Sequence, residues 1–178
     1  MKRYAIVSKK DDVSRHLAAL IKEELKELTY DEEHPEIVIS VGGDGTMIYS
    51  IHRYEHVLND VSFVGIHTGT LGFFSSYDGD ECEAFIQDLI NKRLECKELP
   101  LLDICVQSQK GNEHYYALNE MRVENIVKSQ ILDIYIDGEF FETCRGSGIC
   151  LSTQAGSTAY NRSLKGAVID SGISLMQL

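Results

Sequence analysis

Apolar positions along the first hundred residues follow two alternating rhythms. Tyr4-Ala5-Ile6-Val7 is a short apolar run closed by polar residues, the pattern of a buried strand. Asp11, Asp12 and Ser14 then offer N-caps, and Leu17, Leu20, Ile21, Leu25 and Leu28 follow at helical spacing. Glu36 to Val41 is a second, β-branched run, opened by Pro35 and closed by two glycines. Thr46 to about Tyr54 suits a helix with Met47, Ile48 and Ile51 on one face, and Ser62 to His67 is a third strand. Cys82, Phe85, Ile86, Leu89 and Ile90 mark a further helix. Strands alternating with helices predict parallel pairing and an α/β sheet. Such sheets bind ligands beyond the carboxyl ends of their strands. Two glycine-rich turns, after Val41 and after His67, fall at such ends.

The rhythm changes near Pro100. Leu102 to Gln107, Tyr115 to Asn119, Ile131 to Ile136 and Glu139 to Cys144 all read as strands. Gly111-Asn112 and Asp137-Gly138 supply turn chemistry. No helical pattern separates these runs, so they predict an antiparallel, all-β, sandwich-like second domain. The expected division is residues 1–99, an α/β domain, and residues 100–178, a β-rich one. Leu175 to Leu178 reads as an unfinished helix, and the strands are too few to close. The expectation is a truncated chain whose second domain is incomplete.

Composition narrows the partners. Against 17 Lys and Arg stand 28 Asp and Glu, a formal net charge of −11. Such a surface repels polyanions, which argues against broad nucleic-acid contact. A small phosphate ligand is still allowed, because local amides and a divalent metal act at short range. Cys82, Cys96, Cys105, Cys144 and Cys150 form no C-x-x-C pair and read as buried free thiols of a reducing compartment. The apolar run after the basic start is shorter than the about 7–15 residues of a signal h-region, and no stretch approaches the roughly 18 of a membrane span. A cytoplasmic protein with no membrane partner is expected.

The densest chemistry lies in Gly42-Gly43-Asp44-Gly45-Thr46. Glycines let the backbone approach a ligand, and free amides at the following helix start can face phosphate oxygens. An aspartate among them adds negative charge. It makes sense as a general base, a metal ligand or an acceptor for a sugar hydroxyl. The plain alternative is a tight turn with Asp44 as a simple cap, but three flanking glycines are costly unless a ligand needs access. No Lys follows at P-loop spacing, so a Walker-type site is excluded.

Here the sequence resembles the GGDGT kinase superfamily, which includes NAD kinases, lipid kinases and, more loosely, phosphofructokinases. The second turn separates them. His67-Thr68-Gly69-Thr70-Leu71-Gly72-Phe73 is similar to the NAD-kinase pattern Asn/His-x-Gly-x-Leu-Gly-Phe, and Met47-Ile48-Tyr49-Ser50 lacks the Asn-Glu pair of lipid kinases. Asn119-Glu120 matches the Asn-Glu pair of NAD kinases; alone it would read as a solvated strand end. Arg145 to Tyr160 is similar to the family segment Arg-x-Asp/Ser-Gly-x-x-x-Ser-Thr-Pro-Thr/Ser-Gly-Ser/Thr-Thr-Ala-Tyr. In isolation its Gly-Ser-Thr turn would be a helix cap. Ser147, Gln154 and Ala155 depart from the pattern, as does Asp170-Ser171-Gly172 where His-Pro-Ser is usual. The resemblance covers nearly the whole chain, and family members continue well past its end.

The resemblance to bacterial-type NAD kinases implies a Rossmann-like first domain and an activity. The terminal phosphoryl group of ATP, or of polyphosphate, passes to the adenosine-ribose 2′-hydroxyl of NAD. It implies Asp44 as catalytic base, and Gly42, Gly43, Gly45 and Thr46 around the donor phosphates. It places Asp44, Gly45, Phe73, Asn119, Glu120, Arg145, Ser147, Ala155, Thr158, Ala159, Tyr160, Asn161, Arg162 and Ser163 at the NAD site. Phe73 would lie against the adenine, although core packing is an equal reading of Phe73 and Phe74. Mg²⁺ would come with the donor, with no protein residue assigned as its ligand, and the assembly would be a homodimer or homotetramer. Two alternatives stay open: a lipid kinase of the same superfamily, and an inactive NAD-binding module.

Overall fold

The computed structural model describes residues 3–69, 72–170 and 172–178, which form two compact units, Met1–Lys97 and Glu98–Leu178. In the first, the elements run β1 (Arg3–Ser8), α1 (Asp12–Glu24), β2 (Thr29–Tyr30), β3 (Ile37–Gly42), α2 (Asp44–Arg53), β4 (Ser62–His67), β5 (Tyr77–Asp78) and α3 (Cys82–Ile90). They build one parallel sheet of order β2-β1-β3-β4-β5. All six residues of the central β3 are buried, as expected of a strand covered on both faces.

Side-chain alternation sends the two faces to different helices. Tyr4, Ile37, Ile39, Val41, Val64 and Ile66 pack with Ile21 and Leu25 and with Phe85, Ile86 and Leu89 of α3. Ala5, Val7 and Val38 face the other way and pack with Tyr54. Burying a side chain of this size contributes roughly 1.5–3 kcal/mol, so this double layer is what holds the strand ends in place.

Several boundaries differ from the sequence reading. Asp11 caps α1 by accepting from the Ser14 N–H at 2.8 Å, and the helix stops at Glu24, so Leu28 lies beyond it and Leu20 is exposed. Helix α2 begins two residues earlier than its apolar pattern indicates. Gly43 takes the N-cap position, and Asp44 is the first helical residue. The two-residue strands β2 and β5 are too short to carry a pattern.

The second unit is antiparallel throughout. Its strands are β6 (Leu102–Ser108), β7 (Gly111–Ala117), β8 (Glu120–Glu124), β9 (Gln130–Ile136), β10 (Glu139–Gly146) and β11 (Gly148–Ser152). They pair as β6 with β7, β9 with β10, and β8 with β11. The β9–β10 turn is Asp137-Gly138 with φ of 51° and 85°, the left-handed pair that a tight hairpin requires. The β6–β7 turn is Gln109-Lys110, not Gly111-Asn112, because Ser108 already pairs with Gly111. Strand β7 ends at Ala117, which leaves Asn119 outside it and Glu120 at the head of β8.

After β11 the chain makes a 3-10 turn, Ala155–Thr158, and a single helical turn, α4 (Tyr160–Ser163). The last residues are not the helix their sequence suggests. Gln177 pairs with Ser152 as an antiparallel bridge, and its side-chain Oε1 accepts from Asn161 Nδ2 at 2.7 Å. The five cysteines are free thiols, as expected, but none is buried: Cys96 and Cys105 are exposed and the others half-buried. No helix among the described residues is long and apolar enough to cross a membrane.

Candidate active site

Strands β3 and β4 end in register, Gly42 opposite His67, so the two glycine-rich segments leave the sheet side by side at its carboxyl edge. Gly42 is required there. Its φ is +156°, and a Cβ on it would stand 2.3 Å from the Thr46 hydroxyl oxygen. Thr46 and Met47 N–H groups close the first turn of α2 by donating to the Gly43 carbonyl.

The Asp44 side chain is held by the second loop. Phe73 N–H donates to its Oδ2 and Phe74 N–H to its Oδ1, each at 3.0 Å. Gly72 makes this approach possible, since a Cβ there would lie 2.3 Å from Oδ1. Each carboxylate oxygen keeps a lone pair for another partner. Thr70 and Leu71 of this loop lie outside the described residues.

The loop itself is anchored at both flanks. His67, only 6% exposed, donates from Nδ1 to the Gly69 carbonyl at 3.1 Å, and its Nε2 lies 3.6 Å from Asp78 Oδ2. The Thr68 hydroxyl shares a 2.7 Å hydrogen bond with that of Ser14. Phe73 is 72% exposed, so its ring is not part of the core.

Beside the start of α2 lies a cavity of about 520 Å³, lined by Ser8, Lys9, Lys10, Gly42, Gly43, Gly45, Thr46, Tyr49, Thr68 and Gly69. It contains all four residues expected around donor phosphates, together with two lysines that motif reading passed over. Their signal was positional: they follow β1 directly, at the same sheet edge. Lys9 Nζ is 3.0 Å from Asp11 Oδ2. Asp44 is not among the lining residues, because its side chain turns to the Gly72–Phe74 backbone.

In the second unit the Asn119-Glu120 pair is fixed by Thr153. The Thr153 N–H donates to the Asn119 carbonyl at 2.8 Å, and its buried hydroxyl donates to the Leu118 carbonyl at 2.6 Å. Asn119 Oδ1 and Glu120 Oε2 are buried acceptors with no hydrogen-bond partner. Buried polar atoms are rarely left so, and the usual exceptions include functional sites. Arg122, missed from sequence, lies on the same face of β8 as Glu120, and its guanidinium carbon is 4.3 Å from the Tyr160 ring centroid.

The remaining candidates are dispersed within that unit. Thr158 ends the 3-10 turn and Ala155 begins it, while Ala159 caps α4. Asn161 is buried, and its Nδ2 also donates to the Ser157 and Ala167 carbonyls. Arg162 and Ser163 are exposed on α4. Arg145 lies on β10 opposite Ile131, and Ser147 bridges β10 and β11, its carbonyl accepting from Asn125 N–H and Gln130 Nε2.

No protein-family model matches the chain. It is, however, 42% identical over 180 residues to NAD kinase 1 of Oceanobacillus iheyensis, an alignment covering 98% of this chain and 67% of that protein. The chain belongs to the NAD kinase family. NAD kinases are phosphotransferases, and the chain spans about two thirds of the length of the curated NAD kinases it matches.

Solved structures agree. An NAD kinase from Archaeoglobus fulgidus in complex with ATP is 26% identical with a TM-score of 0.77, over 98% of this chain and 70% of that one. A yeast NADH kinase complexed with NADH shares the fold at a TM-score of 0.86 and 21% identity, over 99% of this chain and 64% of that one. A two-domain NAD kinase fold, present here in part, accounts for the parallel sheet followed by antiparallel ribbons.

Proposed function

We propose that this chain transfers the terminal phosphoryl group of ATP to the 2′-hydroxyl of the adenosine ribose of NAD, giving NADP and ADP. The observation that carries this reading is the carboxylate of Asp44, aimed by two backbone N–H groups and flanked by glycines at a strand end. In the reaction the 2′-hydroxyl gives its proton to Asp44 as its oxygen bonds to the γ-phosphorus. The bond from that phosphorus to the bridging β,γ-oxygen breaks, and ADP leaves. Asp44 must then lie within about 2.6–3.2 Å of the hydroxyl, directly or through one water.

The lysine- and glycine-lined cavity suits the donor phosphates. Its cations and backbone amides offset charge that an acidic protein would otherwise repel. Inorganic polyphosphate is the alternative donor. On the acceptor side, the two partnerless oxygens of Asn119 and Glu120 suit the amino and hydroxyl donors of an adenosine. Tyr160 offers an aromatic face, and exposed Phe73 is free to meet the adenine.

Mg²⁺ travelling with a nucleotide takes most of its ligands from phosphate and water. Asp44, whose oxygens each keep a lone pair beside their bonds to the loop N–H groups, fits that demand, and no three His, Cys, Asp or Glu side chains gather among the described residues. The ion would screen charge on the transferring group. A cytoplasmic homodimer or homotetramer completes the proposal.

The test is to incubate the chain with NAD and ATP labelled in the γ-phosphoryl group. The expected product is NADP carrying the label on the 2′-oxygen. Label that stays in ATP while NAD binds would reassign the chain as an NAD-binding module.

A further inference from the structure

The alternation of β8 gathers Glu120, Arg122 and Glu124 on one face of the β8–β11 ribbon, with Cys150 opposite Arg122 and Ser152 opposite Glu120. The guanidinium of Arg122 lies over the Tyr160 ring, its carbon 4.3 Å from the centroid. Its ion-pair partner, Glu124, is 3.6 Å away and both side chains are about 40% exposed. Exposed pairs of this kind are weak. A guanidinium carries five N–H donors in a planar fork, so most of them remain for a further acceptor.

The neighbourhood makes that acceptor specific. The Glu120 carboxylate presents a buried, partnerless oxygen two residues away on the same face, in a protein of net charge −11. A phosphorylated ligand seated on Asn119 and Glu120 meets this repulsion unless a cation stands in the same cluster. Arg122 is held there by Tyr160, and the bidentate geometry of arginine matches phosphate better than the point charge of lysine.

We propose that Arg122 is a specificity-determining residue that reads a phosphate attached to the adenosine, so that this site takes phosphorylated adenosines and rejects the bare nucleoside. The proposal rests on the NAD reading of the Asn119-Glu120 pair.

The test is calorimetric titration of the wild-type chain, Arg122→Gln and Arg122→Lys with NAD, AMP and adenosine. Wild type should bind NAD and AMP more tightly than adenosine. Arg122→Gln should weaken NAD and AMP about tenfold or more and leave adenosine unchanged, with Arg122→Lys recovering part of the loss. Adenosine weakened by the same factor would make Arg122 a prop for Tyr160 only and overturn the proposal. NAD affinity unaltered in both variants would overturn it too, while leaving the NAD site standing. A wild-type chain that binds none of the three ligands overturns both readings.

Discussion

A Cβ placed on Gly72 would stand 2.3 Å from Oδ1 of Asp44, and the next two backbone N–H groups are bonded to the same carboxylate. The second loop is therefore a mould for one side chain. Gly72→Ala should push Asp44 aside at an overpacking cost of about 1–3 kcal/mol. NADP formation should fall at least about tenfold while NAD affinity holds. Steady-state kinetics beside NAD titration checks this; undiminished turnover would mean that the mould does not matter.

Thr153 ties β11 to the Asn119-Glu120 pair. It is 2% exposed, donates its hydroxyl to the Leu118 carbonyl and accepts from the Gly156 N–H at 2.9 Å. Thr153→Val keeps the shape and strands both partners, which should cost about 1–3 kcal/mol. Denaturant unfolding measures the loss, and the KM for NAD should rise with it. A variant as stable as the wild type would contradict the tie.

Much of this arrangement is legible in the sequence, and the rest is hidden for identifiable reasons. Ser62 to His67 is β4 to the residue, because its apolar run has sharp polar and glycine borders. Helix α2 starts ahead of its apolar face because its first two residues, Asp44 and Gly45, carry no apolar side chain. Strand β8 does alternate, Glu120-Met121-Arg122-Val123-Glu124, but five residues are a short signal, and Arg122, Val123 and Glu124 are all exposed whichever face they occupy. With it went the pairing of Arg122 and Tyr160. The hold on Asp44 comes from backbone N–H groups, which no residue identity advertises. The final residues mislead because Leu175 and Met176 suit a helix, whereas Gln177 is drawn into a bridge with Ser152 by contacts distant in the chain.

Glu120 should trade stability for binding. Its Oε2 is a buried acceptor without a partner, an arrangement that costs free energy in the unliganded protein. Glu120→Gln removes the charge at nearly constant shape. Thermal unfolding should show a Tm that does not fall, while NAD binding weakens about tenfold. A lower Tm with intact NAD affinity would mark Glu120 as structural.

Acid should act on α1 through Asp11. The Ser14 backbone N–H, and next the Lys9 side chain, pull its carboxyl pKa from 3.8 down to about 2. A depressed folded-state pKa means that this contribution is complete above pH about 4 and is lost as pH falls towards 2. Asp11→Asn keeps an N-cap acceptor and removes the titration. Its acid-unfolding curve should therefore be flatter than the wild type's across that window, and superimposable curves would rule out the linkage.

The most direct measurement is a side-by-side assay of wild type and Asp44→Asn for NADP formation and for NAD affinity. The amide keeps size and can still accept from one of the two loop N–H groups, but it cannot take a proton from the ribose. The wild-type chain should form NADP, Asp44→Asn should be slower by about 10²–10⁴-fold or more, and NAD affinity should change little. Equal rates of NADP formation by the two proteins would contradict Asp44 as the base.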